Sequence, residues 1–134
     1  AARWWDELIG PSDPPLPAPP AAFTPLYSTW YSFHLELTQQ ALERQCNLSR
    51  EYGCEVVIVD DGWEVPDTDG YGQAGEWVVA TSKFPDLAGL VERVHATGMK
   101  FMLWFATPFL GKRSPVYDRW KHTLLPGQEN HPFG

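Results

Sequence analysis

Apolar positions along this chain fall into short unbroken runs separated by stretches of helical period. The clearest run is Val56-Val57-Ile58-Val59, followed at once by Asp60-Asp61-Gly62-Trp63. β-branched residues without a polar interruption suit a strand covered on both faces, as in a parallel sheet. The pattern predicts strands over 26–31 (Leu-Tyr-Ser-Thr-Trp-Tyr), 55–59 and 100–105 (Lys-Phe-Met-Leu-Trp-Phe). Between the first two, Thr38 is placed to cap a helix running to Tyr52, with Gly53 as its stop. Its apolar stripe is thin: Ala41, Leu42, Cys46 and Tyr52, with Leu48 off the face. A second helix opens at Phe84-Pro85-Asp86, where Asp86 is a cap or faces the helix dipole. It carries Leu87, Leu90, Val91 and Val94 at helical spacing and closes at Gly98. A short helical stretch is expected over 117–125.

Strand, helix, strand, long loop, helix, strand is an α/β order. Such alternation implies parallel strands joined by right-handed crossovers. Residues 1–24 read differently. Pro11, Pro14, Pro15, Pro17, Pro19 and Pro20 crowd ten positions, which prevents a regular helix or central strand and suits a stiff linker. Trp4-Trp5 before them could dock on a partner surface or belong to an unstructured terminus. The loop over 64–83, with Asp67, Asp69, Gly70, Gly72 and Gly75, is long enough to expect a functional role.

Charge and composition narrow the partners. The chain has 134 residues and a formal net charge of −7. An acidic chain without a basic cluster argues against nucleic acid and anionic membranes. No apolar run reaches the eighteen residues or so that a membrane span needs. The compartment is left open, with the cytoplasm as the expectation. Two cysteines, Cys46 and Cys54, lack metal-site or redox spacing and read as free thiols. Seven tryptophans exceed the needs of a core this size. Flat aromatic faces suit the apolar faces of sugar rings, and they suit cores and interfaces equally well.

Candidate chemistry gathers at one end of the predicted sheet. Trp30, Trp63 and Trp104 each lie at or just past a strand's C-terminal end, and Asp60-Asp61 falls there too. This is the end at which parallel α/β folds bind ligands. Carboxylates accept hydrogen bonds from hydroxyls, and indoles cover C–H surface, so the set suits a neutral polyol. Core packing is an equal reading for Trp30 and Trp104. Trp77, in the long loop, either closes over the pocket or anchors the loop at its rim. Adjacent carboxylates on one strand are poorly placed as a glycosidase pair, which flanks the scissile bond at about 5 Å or more. His34, His95, His122 and His131 are scattered, and no metal-ligand spacing is present.

Six stretches taken in order carry a resemblance: Tyr27-Ser28-Thr29-Trp30-Tyr31, Val59-Asp60-Asp61-Gly62-Trp63, Gly75-Glu76-Trp77, Lys83-Phe84-Pro85, Gly98-Met99-Lys100 and Leu103-Trp104-Phe105. Together they resemble the bacterial-type α-galactosidases of glycoside hydrolase family 36, over 25–111. The resemblance implies an α/β fold, a partial (β/α)8 (TIM) barrel comprising about the first three β/α units. Residues 25–134 would be the N-terminal part of the barrel, and residues 1–24 the junction with a preceding domain. It implies that Asp60 and Asp61 hydrogen-bond galactose hydroxyls, chiefly on C4 and C6, and that Trp104 and Trp30 line the sugar site. Glu76 departs from the Asp that commonly precedes the loop tryptophan, which bears on the placement of Trp77.

The resemblance further implies retaining hydrolysis of terminal α-galactosides without metal or cofactor. Its nucleophilic Asp follows the fourth strand and its acid/base Asp the sixth, so no residue here matches either. A full barrel takes about 250 residues. The expectation is therefore an inactive fragment of a longer enzyme, with an α-galactoside oligosaccharide as partner and a homo-oligomer possible through the full-length protein. Two alternatives stay open: a related retaining glycosidase or raffinose-type galactosyltransferase, and a non-catalytic carbohydrate-binding α/β module.

Overall fold

In the computed structural model, which describes residues 17–64 and 70–125, the valine run is the centre of the sheet. β1 (Leu26–Ser28), β2 (Val56–Val59) and β3 (Lys100–Leu103) form a parallel sheet in the order β1-β2-β3. Leu26 pairs with Val56 and Ser28 with Ile58; on the other side Val56 pairs with Lys100 and Val59 with Leu103. Parallel neighbours need crossovers. These are built around α2 (Gln39–Glu51) and α3 (Leu87–Ala96), while α1 (Trp30–Phe33) and α4 (Tyr117–Trp120) are single turns after β1 and β3. Three-stranded parallel α/β architecture is thus as the residue pattern predicts. The Trp4-Trp5 docking element, the linker residues 1–16, and Asp67 and Asp69 lie outside the described residues.

Both long helices start where their caps predict. Thr38 Oγ1 accepts from the Ala41 N–H at 3.3 Å, and Asp86 Oδ1 accepts from the Gly89 N–H at 2.9 Å. Each satisfies a donor that has no intrahelical partner. Gly53 and Gly98 follow the two helices with positive φ, 89° and 83°, the backbone turn glycine allows at no steric cost.

Alternation along the strands decides what each face meets. Val57 and Val59 are fully buried with Leu42, Cys46, Leu90 and Val94 of the two helices. Tyr27, Phe101 and Leu103 pack against the same cluster. The intervening residues point the other way. That second face is partly open: Leu26 is 52% and Met102 51% exposed. Both cysteines are free thiols. Burial pushes the Cys46 thiol up to about 11, with Glu43 adding to it, so Cys46 is an unreactive core residue. No helix among the described residues is long and apolar enough to cross a membrane.

Two strands end sooner than their residue types predict. β1 stops at Ser28 because the chain turns back on itself. The Ser28 hydroxyl accepts from the Trp30 N–H at 3.4 Å, and the Ser32 and Phe33 N–H groups both return to the Thr29 carbonyl. Local hydroxyl bonding of this kind competes with the strand ladder. β3 stops at Leu103, although the Trp104 N–H still donates to Val59 O at 2.9 Å. The helical stretch expected over 117–125 divides into α4 and a 3-10 turn, Lys121–Thr123.

The long loop is not without order. It contains a 3-10 turn, Gly70–Gln73, and buries Ala74 and Ala80. The Gly111 N–H donates to Ala74 O at 2.9 Å and the Arg113 N–H to Gly72 O at 2.7 Å. The loop therefore lies along the segment that follows β3.

The inward face of α2 is set by its burial. Leu42→Ala should lower unfolding free energy by about 2–5 kcal/mol, the cost of a core cavity. Leu48→Ala, on the exposed side, should change it by less than about 0.5 kcal/mol. Denaturant titration of both variants checks the assignment.

Candidate functional site

The ends of the three strands are locked together before any side chain reaches outward. The Thr29 N–H donates to Ile58 O at 3.1 Å. The Thr29 side chain is fully buried, and its hydroxyl accepts from the Asp60 N–H at 2.9 Å. On the other flank Trp104 N–H bonds Val59 O. Trp30, Asp60 and Trp104 are thereby brought to one edge of the sheet. Since Val59 and Leu103 point into the helix-covered core, alternation places Asp60 and Trp104 on the open face. Trp104 is 48% exposed there. Trp30 sits on the first turn of α1, edge-on to His34 with ring centroids 4.8 Å apart.

After Asp60 the chain makes a tight turn. Asp60 Oδ1 accepts from the Asp61 N–H at 2.9 Å, and Glu64 Oε2 accepts from the Gly62 N–H at 3.1 Å. Gly62 has φ 108°, and a Cβ built there would lie 2.9 Å from Leu35 Cα and 3.0 Å from Leu35 O. Only glycine meets both constraints. Lys83 Nζ donates to Gly62 O at 3.0 Å and to Leu35 O, joining the turns that follow α1 and β2. Trp63 then drops into the core, 2% exposed. Its indole N–H donates to Trp104 O at 3.0 Å, so it is a packing residue that ties β2 to β3.

The turn holds Asp61 in an unusual state. It is 7% exposed, and among the described residues its Oδ1 has no hydrogen-bond partner. Burial, then Glu64, then Asp60 push its carboxyl up to about 6. Glu64 is also raised, mainly by burial, while its hydrogen bonds to the backbone and the Lys83 charge pull the other way. A buried acceptor without a partner is costly unless something else satisfies it. Carboxylates so arranged suit hydrogen bonds from a ligand's hydroxyls. Among the described residues no group of three or more His, Cys, Asp or Glu is placed to hold a metal ion.

Trp77 stands apart from this cluster. Its φ is 56°, rare for a bulky residue. Its ring meets Phe105 edge-on at 5.5 Å, and Phe105 meets Trp63 at 5.2 Å. Trp77 also packs against the core, as a loop anchor does. Beyond it lies a groove of about 460 Å³ with mixed polar and apolar walls, among them Trp77, Thr107, Phe109, Trp120 and Thr123. Neither Asp60 nor Asp61 lines this groove. Residue patterning misses the roles of Thr29, Glu64 and Lys83.

The melibiase family matches residues 23–130. The α-galactosidase Mel36A of Lactobacillus acidophilus is 28% identical over 110 residues, covering 80% of this chain and 15% of the relative. An α-galactosidase structure from Lactobacillus brevis superposes with a TM-score of 0.67 at 29% identity, covering 73% of this chain and 13% of that one. The family 36 α-galactosidase AgaA of Geobacillus stearothermophilus, in complex with raffinose, gives 0.66 at 26% identity over 72% of this chain and 14% of that one. This chain thus spans about 15% of the length of the relatives it matches. The three parallel strands correspond to the N-terminal part of their TIM barrels.

The Asp61 shift has a definite sign. A carboxyl raised from 3.8 to about 6 in the folded state binds its proton more tightly folded than unfolded. Stability therefore falls as pH rises from about 4 to about 6, and the whole cost, up to about 3 kcal/mol, is present above that window. Asp61→Asn removes this dependence. Its stability relative to the unsubstituted protein should rise across that window and level off above pH 6. Thermal unfolding of both proteins from pH 4 to 8 measures the difference.

Proposed function

The chain belongs to the melibiase family, and from that membership we infer that it supplies the galactose-gripping corner of an α-galactosidase. In this reading Asp60 and Asp61 accept hydrogen bonds from galactose hydroxyls. Trp104 and Trp30 offer aromatic surface beside the ring, and Trp77 holds the loop at the rim. The single observation that carries it is Asp61: a carboxylate held nearly buried, at the ligand-binding end of three parallel strands, with one oxygen unpartnered among the described residues. A buried carboxylate oxygen that no described residue satisfies suits a site where a ligand supplies the donor.

The reaction is retaining hydrolysis of terminal α-galactosides, in which one carboxylate forms a glycosyl-enzyme and another serves as acid and then base. Asp60 and Asp61 are not that pair. They leave one strand as neighbours and share one turn, so both approach a sugar from the same side. The nucleophile and acid/base belong to segments of the full-length enzyme outside these residues. That division is supported by the small share of each relative that this chain covers. A raffinose-type oligosaccharide is the natural substrate class, since a relative's structure holds raffinose.

Calorimetric titration of the full-length protein with galactose tests the reading. Asp60→Asn and Asp61→Asn should each weaken binding by about 1.5–3 kcal/mol, the range for a hydrogen bond to a charged group. Raffinose hydrolysis should fall with it. Unchanged affinity in both variants would remove the two aspartates from the sugar site.

A further inference from the structure

Nothing in the hydroxyl grip explains why a lysine should lie behind it. Lys83 is in the loop that precedes α3, twenty-one residues after Gly62 in sequence, and its ammonium group donates to the carbonyls of both Leu35 and Gly62. Those carbonyls belong to two different turns, one after α1 and one after β2. The turns approach so closely that no side chain fits at Gly62. Two carbonyl dipoles converging on one point repel each other unless a cation sits between them. The same lysine is anchored through its backbone. Its carbonyl accepts from the Gln39 N–H at the start of α2, and its N–H donates to Ala80 O, both at 2.9 Å. Ala80 N–H in turn bonds Trp63 O at 2.9 Å.

Lys83 also supplies positive charge behind the carboxylate turn. Asp60 and Glu64 raise the proton affinity of Asp61, and the Lys83 charge, after the backbone hydrogen bonds, works against the burial that raises that of Glu64. Glu64 Oε2 is the acceptor for the Gly62 N–H. The lysine thus fixes Gly62 from its carbonyl side directly and supports the bond on its N–H side electrostatically. With both ends of Gly62 held, the direction of the Asp61 carboxylate is set.

We propose that Lys83 is a positioning residue for galactose recognition: it clasps the Leu35 and Gly62 carbonyls and so aims the Asp60–Asp61 carboxylates at the sugar. The proposal rests on the reading of those aspartates as the hydroxyl grip, and its test separates the two. Galactose dissociation constants are measured for the full-length protein as Lys83→Met, Asp61→Asn and the double variant, with pH profiles of kcat/KM on an α-galactoside. Lys83→Met should weaken galactose about tenfold or more, by analogy with loss of a charged hydrogen-bonding partner. Because it acts through the carboxylate turn, the double variant should lose much less than the product of the single losses. The acidic limb of the pH profile should also move, since Glu64 loses its cation.

Lys83→Gln, which keeps N–H donors without the charge, serves where Lys83→Met does not fold. It should show the shifted limb together with a smaller affinity loss. If Asp61→Asn leaves galactose binding intact, the grip reading itself fails. If Asp61→Asn weakens binding while the folded Lys83 variant binds galactose normally, or the losses simply multiply, Lys83 has no positioning role.

Discussion

Gly62 lies against the backbone of Leu35 at a distance no side chain could share, and the chain around it is shaped by that contact. Close approach of two turns brings two carbonyls to one lysine. It leaves the carboxylate before the glycine nearly buried, while the tryptophan after it faces the core. Had the turn been looser, water would solvate Asp61, and its proton affinity would be that of an ordinary surface carboxyl. The cost of burying it is met by the stability of the frame: a valine strand between two neighbours, two capped helices over one face, and Thr29 bonded to the Asp60 N–H from the adjacent strand end.

That division of labour gives each side of the sheet a distinct task. The helix-covered face carries the packing, with Val57, Val59, Leu42 and Leu90 out of water. The other face and the strand ends carry polar and aromatic groups that are not consumed by packing. Trp63 and Trp104 show the difference on neighbouring strands. The Trp63 ring is internal and spends its one donor on the Trp104 carbonyl. The Trp104 ring is half exposed and available to a ligand. A third tryptophan, Trp77, is fixed by edge contact with Phe105 in a backbone conformation that bulky residues seldom adopt. Strain of that kind persists where surrounding contacts over-determine it.

Most of this frame is legible in the sequence, because it rests on local rules. The valine run, Thr38 and Asp86 as caps, and the glycines after both helices each state one physical requirement, and the fold meets it. The shortfall at Trp30 has an equally local cause. The Ser28 hydroxyl and the Thr29 carbonyl take up backbone N–H groups that a strand would need, and residue-type propensity does not register that competition. The clasp was not legible at all. Lys83 reaches Gly62 and Leu35 across twenty-one and forty-eight positions, and nothing in composition or period links them. The pairing of Asp60 and Asp61 was visible, whereas their inequality was not. One is partly exposed and bonded to the next N–H, and the other is buried with a raised proton affinity.

The function of the whole region depends on whether this turn holds galactose. A crystal structure of the full-length protein with galactose bound tests it most directly. Sugar hydroxyls are expected about 2.5–3.0 Å from carboxylate oxygens of both Asp60 and Asp61, with the ring beside Trp104 and Lys83 still bridging the Leu35 and Gly62 carbonyls. Galactose bound with neither carboxylate in contact would contradict it.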